Sequence, residues 1–178
     1  NTQPGMPKYK DLNGDGVIDT NDRTMIGRGL PIHTGGFTNN FEYKGFDLSV
    51  FFQWSYGNDV LNANRLFFDS GFQKKRELNQ YASYTDRWTP ENPNSNIPAA
   101  TNSSSNLVIS SRVVEDASFL RLKTVTLGYT VPKTFLKKYK IDNARLYVAA
   151  QNLWTITGYS GYDPEVSIRS GGLTPGLD

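Results

Sequence analysis

The stretch from Phe46 to Tyr56 alternates between apolar and mostly polar residues over eleven positions. Because successive side chains of a β-strand point to opposite faces, this alternation predicts a strand with one apolar and one mostly polar face. The predicted apolar face carries Phe46, Leu48, Val50, Phe52, Trp54 and Tyr56. The other face carries Asp47, Ser49, Phe51, Gln53 and Ser55. Such a strand requires a second apolar surface, or lipid, against its apolar side.

The length of this strand leaves two kinds of β protein open. Eleven residues match the roughly 9–11 that a tilted strand needs to cross a bilayer and exceed the ~5–6 that are usual in globular proteins. Trp54 and Tyr56 end the apolar face, and both residue types are enriched at membrane–water boundaries. The same pattern also fits a half-buried strand of a soluble β-sandwich.

The composition excludes several classes of function. The 178 residues carry a net charge of +2 with 20% charged residues, so there is no strongly basic footprint for nucleic acid. The chain has no cysteine and a single histidine, His33, which excludes thiolate and multi-histidine metal sites. It contains no run of about 18 or more apolar residues, the length that predicts a membrane-spanning helix.

Residues 11–22 have the spacing of a calcium-binding loop of the EF-hand type. The predicted ligands are Asp11, Asn13, Asp15, the carbonyl of Val17, Asp19 and Asp22. Gly16 takes the sixth position, where such a loop turns sharply. Asp22 stands where an EF-hand has glutamate, which makes the loop similar to dockerin-type loops. The alternative is an acidic turn without an ion, and in either case a short helix is predicted from Thr20 to Ile26.

Three further strands are predicted. Residues 33–43 precede the first ribbon, and only Lys44-Gly45 separates the two, which predicts a tight antiparallel hairpin. Strand character returns over 118–131, where the apolar parity switches, so we expect a β-bulge near Lys123-Thr124. Residues 143–153 form the fourth predicted strand.

The connections between these strands alternate in length. The connection at 44–45 is short, the one at 57–117 is long, the one at 132–142 is moderate, and the chain is loop again from 156. Outer-membrane barrels alternate in this way between short periplasmic turns and long extracellular loops, and soluble sandwiches seldom do. The alternation therefore favours a membrane barrel.

Six blocks of the sequence, in order, resemble the SusC/RagA family of TonB-linked outer-membrane transporters of Bacteroidetes. The blocks are DLNGDGVID (11–19), FDLSVFFQWSYGN (46–58), RWTPENP (87–93), ASFLRLKTVTLGY (117–129), QNLW (151–154) and YSGYDPEV (159–166). The resemblance covers nearly the whole chain and implies a C-terminal barrel fragment of such a transporter.

The resemblance implies an all-β fold, namely about four to five antiparallel strands of a transmembrane β-barrel of roughly 22 strands. Residues 1–32 are expected to be an extracellular loop with the calcium motif. Residues 33–56 and 118–155 are expected to be two barrel hairpins. Residues 57–117 are expected to be a long extracellular loop, and 156–178 an extracellular loop before one last strand that is missing here.

The resemblance also implies a function. It predicts part of a TonB-dependent importer of glycans or peptides, embedded in outer-membrane lipid and covered by a SusD-like lipoprotein. The energy would come from TonB–ExbB–ExbD through an N-terminal part that this sequence lacks, and any Ca2+ would be structural. The family makes no covalent change, so no catalytic residues are expected, and substrate-binding residues cannot be assigned from the sequence.

Two other functions compete with this one. The main alternative is a secreted or cell-surface β-sandwich binding module with a dockerin-like calcium loop. A soluble glycan-acting enzyme is disfavoured, because Asp163 and Glu165 share a loop with a proline between them and have no partner base. The aromatic residues Tyr81, Tyr84 and Trp88 are expected to pack within the long loop rather than to stack on a sugar.

Overall fold

The computed structural model describes residues 3–72, 79–102 and 104–165. Its strands are β1 (His33–Tyr43), β2 (Phe46–Tyr56), β3 (Asp59–Leu61), β4 (Val114–Asp116), β5 (Phe119–Thr130) and β6 (Arg145–Thr157). Its α-helices are α1 (Ala63–Phe68) and α2 (Lys133–Leu136). Short 3-10 helices cover Thr20–Asp22, Ala82–Asp86, Ser104–Leu107, Ser111–Val113 and Lys137–Tyr139. None of the helices in the described ranges has both the length and the apolarity that crossing a membrane requires.

The chain divides into two units. The sheet unit comprises residues 30–58 and 116–159, and the loop unit comprises 1–29, 59–115 and 160–178. The sheet unit holds a four-stranded antiparallel sheet in the order β1-β2-β5-β6, and β3 pairs with β4 in a separate two-stranded sheet. The all-β antiparallel fold expected from the sequence is therefore confirmed.

The hairpin of β1 and β2 has the predicted two-residue turn. His33 pairs with Tyr56 at one end, and Tyr43 pairs with Phe46 at the other. Lys44 and Gly45 both have positive φ angles, 47° and 89°, as expected for a turn that matches the twist of its strands. The register therefore places odd residues of β1 and even residues of β2 on the same face.

The β-bulge expected in β5 is present. Phe51 pairs with Thr124 and Phe52 pairs with Leu122, so Lys123 has no partner in β2. The extra residue switches the parity of β5, which keeps both halves of its apolar pattern on one face.

A second irregularity, in β6, was not predicted. Leu122 pairs with Trp154 and Thr124 with Gln151, so two residues of β6 lie opposite Lys123. One of these is Asn152, which has a φ of 51°. Asparagine tolerates this left-handed conformation better than most residues do, so the bend in β5 continues into its neighbour.

The last strand is longer than predicted. The sequence placed the second hairpin at 118–155 and a loop from 156, whereas β6 ends at Thr157. Ile156 and Thr157 pair with Leu120 and Phe119, so the ladder continues to the first residue of β5. Of the predicted loop at 156–178, residues 166–178 lie outside the described part of the chain.

The loop unit contains more regular structure than the sequence indicated. β3 and β4 lie within the segment predicted as loop at 57–117, but three residues each are too few to show an alternating pattern. Asn62 caps α1 by accepting a hydrogen bond from the Arg65 amide at 2.9 Å. The helix expected from Thr20 to Ile26 is only a 3-10 turn that ends at Asp22. Buried apolar side chains here include Val60, Leu66, Tyr84 and Val113.

Candidate functional site

One face of the four-stranded sheet is apolar from edge to edge. It carries Phe37, Phe41, Tyr43, Phe46, Leu48, Val50, Phe52, Trp54, Tyr56, Leu120, Leu122, Val125, Leu127, Tyr129, Leu146, Val148, Ala150, Trp154 and Ile156. We call this the apolar face; Asn39, opposite Val50, is the polar side chain near its middle. Several of its large residues are well exposed, and Leu146 reaches 70%. An uncovered apolar surface of this extent is typical of a lipid or protein contact.

Aromatic side chains lie at both ends of the apolar face. At the end that leads into the long connections, His33 stacks on Tyr56 with ring centroids 5.2 Å apart, and Trp54 Nε1 donates a hydrogen bond to His33 Nδ1 at 3.2 Å. At the end with the short turn, Phe46 packs on Tyr129 at 4.5 Å. Two aromatic girdles that flank an apolar band are typical of transmembrane β-barrels.

The opposite face, which we call the polar face, is linked by an ion pair across three strands. Arg145 of β6 binds both carboxylate oxygens of Asp47 of β2, with Nε 3.0 Å from Oδ1. The side chains meet above Gly128 of β5, where an added Cβ would lie 2.5 Å from atoms of both. A side chain at position 128 would therefore displace this ion pair from its present position.

The remaining residues of the polar face are mostly small or hydrophilic. They include Thr34, Thr38, Asn40, Glu42, Ser49, Gln53, Ser55, Thr124, Thr126, Gln151 and Thr155. Phe51 is the apolar exception in β2, and its ring lies over Gly36 of β1, where an added Cβ would meet it at 2.7 Å. The ring of Phe51 thus packs on the β1 backbone at Gly36, where the lack of a side chain leaves room for it.

The predicted calcium loop adopts a tight turn around its first carboxylate. Asp11 accepts hydrogen bonds from the backbone amides of Gly14 at 2.6 Å and Gly16 at 2.8 Å. Gly16 has a φ of 82°, as the sharp turn at the sixth position requires. At the far end, Asp22 accepts from the amides of Leu12 at 2.7 Å and Asp19 at 2.9 Å, which closes the loop.

The fit of this loop to a metal ion is partial. Hydrogen bonds from the Asp19 and Leu12 amides lower the pKa of Asp22, so its carboxylate is ionised, as a ligand must be. However, no three Asp, Glu, His or Cys side chains of the described residues converge in an arrangement that could hold a metal ion. The oxygen-rich, exposed loop suits a hard cation by chemistry, and calcium stays a prediction.

The loop unit contains a polar network centred on Glu115. Its carboxylate accepts hydrogen bonds from Arg65 Nη1 at 3.0 Å and Asn62 Nδ2 at 3.2 Å. It also accepts from the Ser160 amide and hydroxyl, both at 2.9 Å. Arg65 binds Asp69 as well, with Nε 3.4 Å from Oδ2. The network joins three segments that are distant in sequence, and no spacing pattern in the sequence predicts it.

The aromatic residues of the long connection are packed within the loop unit. Trp88 lies so close to Gly5 that a Cβ there would meet its ring at 2.5 Å, and Tyr84 is buried. Tyr81 packs edge-on against Phe68, with ring centroids 5.5 Å apart. This agrees with the packing role expected from the sequence.

Asp163 and Glu165 lie together in a local turn. The Glu165 amide donates a hydrogen bond to Asp163 Oδ1 at 2.9 Å, the geometry of a local turn. The residues predicted as site residues, the calcium ligands, thus all lie in the loop at 11–22, apart from this turn.

Several proteins are similar to this chain in sequence. TonB-dependent receptors P3 and P26 of Formosa agariphila are each 40% identical to it, over 95% and 92% of the chain. TonB-dependent receptor SusC of Bacteroides thetaiotaomicron is 28% identical over 93% of the chain. The chain spans 16% of the length of each of these relatives. No protein-family model matches it.

Solved structures agree with the sequence relatives. The RagAB peptide importer in its open-open state superposes with a TM-score of 0.76 at 29% identity, covering 96% of this chain and 18% of that chain. Its closed-closed state gives a TM-score of 0.74 at 28% identity, with 97% and 19% covered. The matched proteins are receptors and importers rather than enzymes, in agreement with the expected lack of catalytic residues. The chain belongs to the SusC/RagA-type TonB-dependent receptors and corresponds to a C-terminal part of their β-barrel.

Proposed function

We propose that this chain forms part of the barrel wall and the outer loops of an outer-membrane nutrient importer that is energised through TonB. The observation that carries the proposal is the two-sided sheet. Strands of 11 to 13 residues present one continuous apolar face and one polar face, as a barrel wall between lipid and an aqueous interior does. The TonB-dependent relatives support the energy source.

The cargo and the partner are proposed from the relatives. RagAB is a peptide importer, and SusC is a TonB-dependent receptor. We expect the whole receptor to carry oligosaccharides or peptides and to work with a SusD-like surface lipoprotein above the long loops. The polar face would then border the import path, with small hydroxyl and amide side chains that keep it wet.

The experiment that tests this function uses the full-length receptor. It is expected to enter the detergent phase on temperature-induced phase separation, and its host is expected to lose uptake of the cargo when TonB is deleted. The cargo is identified by growing the host on single glycans or peptide mixtures. A receptor that partitions into the aqueous phase, or uptake that is unchanged without TonB, would contradict the proposal.

We further propose that residues 11–22 bind one Ca2+ that stiffens this loop. In the full-length receptor, calcium is expected to slow amide hydrogen exchange within 11–22, because ligation restrains the exposed turn. The double substitution Asp11→Asn and Asp15→Asn is expected to abolish this protection, since neutral amides replace two of the charged ligands. Asp142→Asn, an exposed position outside the loop, serves as the control. Equal exchange in calcium and in chelator would show that the loop folds as an ion-free turn.

A further inference from the structure

The connection between β5 and β6 has an unusual surface, which we call the basic turn and define as residues 132–142. It contains α2, the 3-10 helix Lys137–Tyr139 and four exposed lysines. These are Lys133, Lys137, Lys138 and Lys140. With Asp142 as its single acidic residue, the turn has a net charge of +3.

The basic turn also exposes large apolar side chains. Phe135 is 65% exposed and Tyr139 is 58% exposed, and their ring centroids lie 6.0 Å apart. Leu136 is buried, and its carbonyl accepts a hydrogen bond from the Ile141 amide at 3.3 Å. One residue of the turn is thus buried, while two aromatic side chains are exposed among the lysines.

The positive charge of the basic turn is not neutralised within the described residues. No salt bridge there involves any of its lysines. The nearest acidic residue of β2, Asp47, is occupied by Arg145. The turn therefore presents several free ammonium groups, which attract anions more strongly together than singly.

The basic turn lies at the girdle end of the apolar face that also carries the short hairpin turn. The Thr130 amide donates to the Gly45 carbonyl at 2.8 Å, and the Val131 amide donates to the Ala144 carbonyl at 2.9 Å. Lys44 adds another cation, with its Nζ 5.1 Å from the Tyr43 ring. Lysines and aromatic rings thus border the apolar face at the same end.

We propose that the basic turn binds the anionic headgroups of glycerophospholipids at the membrane surface on its side of the barrel. The inference rests on the proposed function, because it needs the apolar face to lie in lipid. Lysine ammonium groups would contact headgroup phosphates, and Phe135 and Tyr139 would enter the interfacial layer beside them. Lysines near an anionic membrane surface and aromatic rings at its boundary are each favourable in this position.

One observation and one property of lysine favour lipid over a periplasmic protein as the occupant. The turn joins β5 and β6 at the end of the apolar face where Phe46 packs on Tyr129, so it lies beside the bilayer surface wherever the apolar face is embedded. The lysines carry flexible apolar stems that can extend to headgroups along that surface.

The test places a fluorescent reporter in the basic turn of the full-length receptor. The variant Phe135→Trp is reconstituted in nanodiscs that contain phosphatidylcholine and a variable fraction of brominated phosphatidylglycerol. Its fluorescence, after subtraction of the parent receptor, is expected to be quenched at low fractions of brominated phosphatidylglycerol. Brominated phosphatidylcholine at the same fractions is expected to quench much less.

The charge requirement is tested by adding Lys133→Gln, Lys137→Gln and Lys138→Gln to the reporter variant. Lys140 is kept because its φ of 55° ends the helical turn. The fraction of brominated phosphatidylglycerol that gives half-maximal quenching is expected to rise at least about tenfold, since each lysine contributes to the attraction. The matched control replaces the exposed loop cations Lys8, Lys10 and Arg23 with glutamine and is expected to leave it unchanged.

Other outcomes would overturn the proposal. Equal quenching by the two lipids would show an aromatic contact without recognition of charge, and no quenching by either would place the turn in water or on a protein. The proposed function is assessed separately, from incorporation of the receptor into nanodiscs and from TonB-dependent uptake. A receptor that is incorporated and active but shows no lipid preference disproves only the lipid site.

Discussion

Replacing Val50 with arginine in the full-length receptor is expected to lower the free energy of unfolding in lipid by about 2–4 kcal/mol. Val50 lies near the middle of β2, opposite Asn39 on one side and Val125 on the other, within the apolar face. A charge there would sit near the centre of the hydrocarbon layer, where the cost of an ionised side chain is largest. Urea titration of receptor refolded in lipid vesicles measures the change.

The matched control is Ser49→Arg, one residue earlier in the same strand. Ser49 lies opposite Asn40 and Thr126 on the polar face, so its arginine would reach the aqueous interior and change the stability little. The comparison holds strand position and side-chain size constant and varies only the face. Equal costs at both positions would mean that the two faces meet the same environment, which would contradict the membrane assignment.

The parts of the fold that could be predicted are those with a repeating physical requirement. The alternation in β1 and β2 continues without interruption, and Lys44-Gly45 is too short for anything but a hairpin turn. The parity switch in β5 revealed its bulge, because the apolar residues on either side of Lys123 had to reach one face. Each of these features follows from the order of apolar and polar residues, which a single sequence shows.

The irregularity of β6 illustrates what such a pattern cannot show. Its apolar residues Leu146, Val148 and Ala150 keep one parity, and Trp154 and Ile156 keep the same parity after two further residues. β6 has one extra residue relative to β5, and β5 has one extra relative to β2. The two extra residues together leave the alternation of β6 unchanged, so its parity does not reveal the distortion at Asn152. Its signal is the asparagine itself, a residue type that accepts a positive φ.

The position of the loop unit along the chain could be predicted from the sequence, but its internal structure could not. Long connections between strands were evident, but the pairing of β3 with β4 rests on three residues each, and the network of Glu115 joins residues up to 98 positions apart. Such contacts depend on how the backbone brings single polar groups together, which no local periodicity encodes. The turn of the calcium motif was recognisable because its hydrogen bonds are all local.

The carboxylate of Glu115 is expected to hold the backbone at Ser160 in place. In the full-length receptor, Glu115→Gln is expected to lower the free energy of local opening of this region by roughly 2–3 kcal/mol, which corresponds to roughly 30- to 150-fold faster amide exchange at Ser160. The reason is that the side chain is only 13% exposed and accepts four hydrogen bonds, one of them from Arg65. The glutamine side chain would present its amide N–H group, in place of an acceptor oxygen, to some of these donors. Those donors would then lose their hydrogen bond.

The contribution of this network to the stability of the loop unit depends on pH. Burial alone would raise the pKa of Glu115, but hydrogen bonds from the Ser160 amide and hydroxyl and from Arg65 outweigh it and hold the pKa below its ordinary value of 4.5. The folded state therefore binds fewer protons than the unfolded state near this pH. The contribution of Glu115 is fully present above about pH 4.5 and is lost as the pH falls through the lowered folded pKa.

Hydrogen exchange at Ser160 between pH 3 and 7, corrected for the intrinsic exchange rate, tests both statements. Protection is expected to fall on acidification in the parent receptor and to be low and nearly independent of pH in Glu115→Gln. Ser160→Ala removes one of the four hydrogen bonds and is expected to have a smaller effect, while Glu91→Gln, at an exposed position, is expected to have none. If Glu115→Gln kept the protection of the parent, the carboxylate would not be what holds this segment, and the apolar contacts of Val60, Leu66 and Val113 would account for the order of the loop unit.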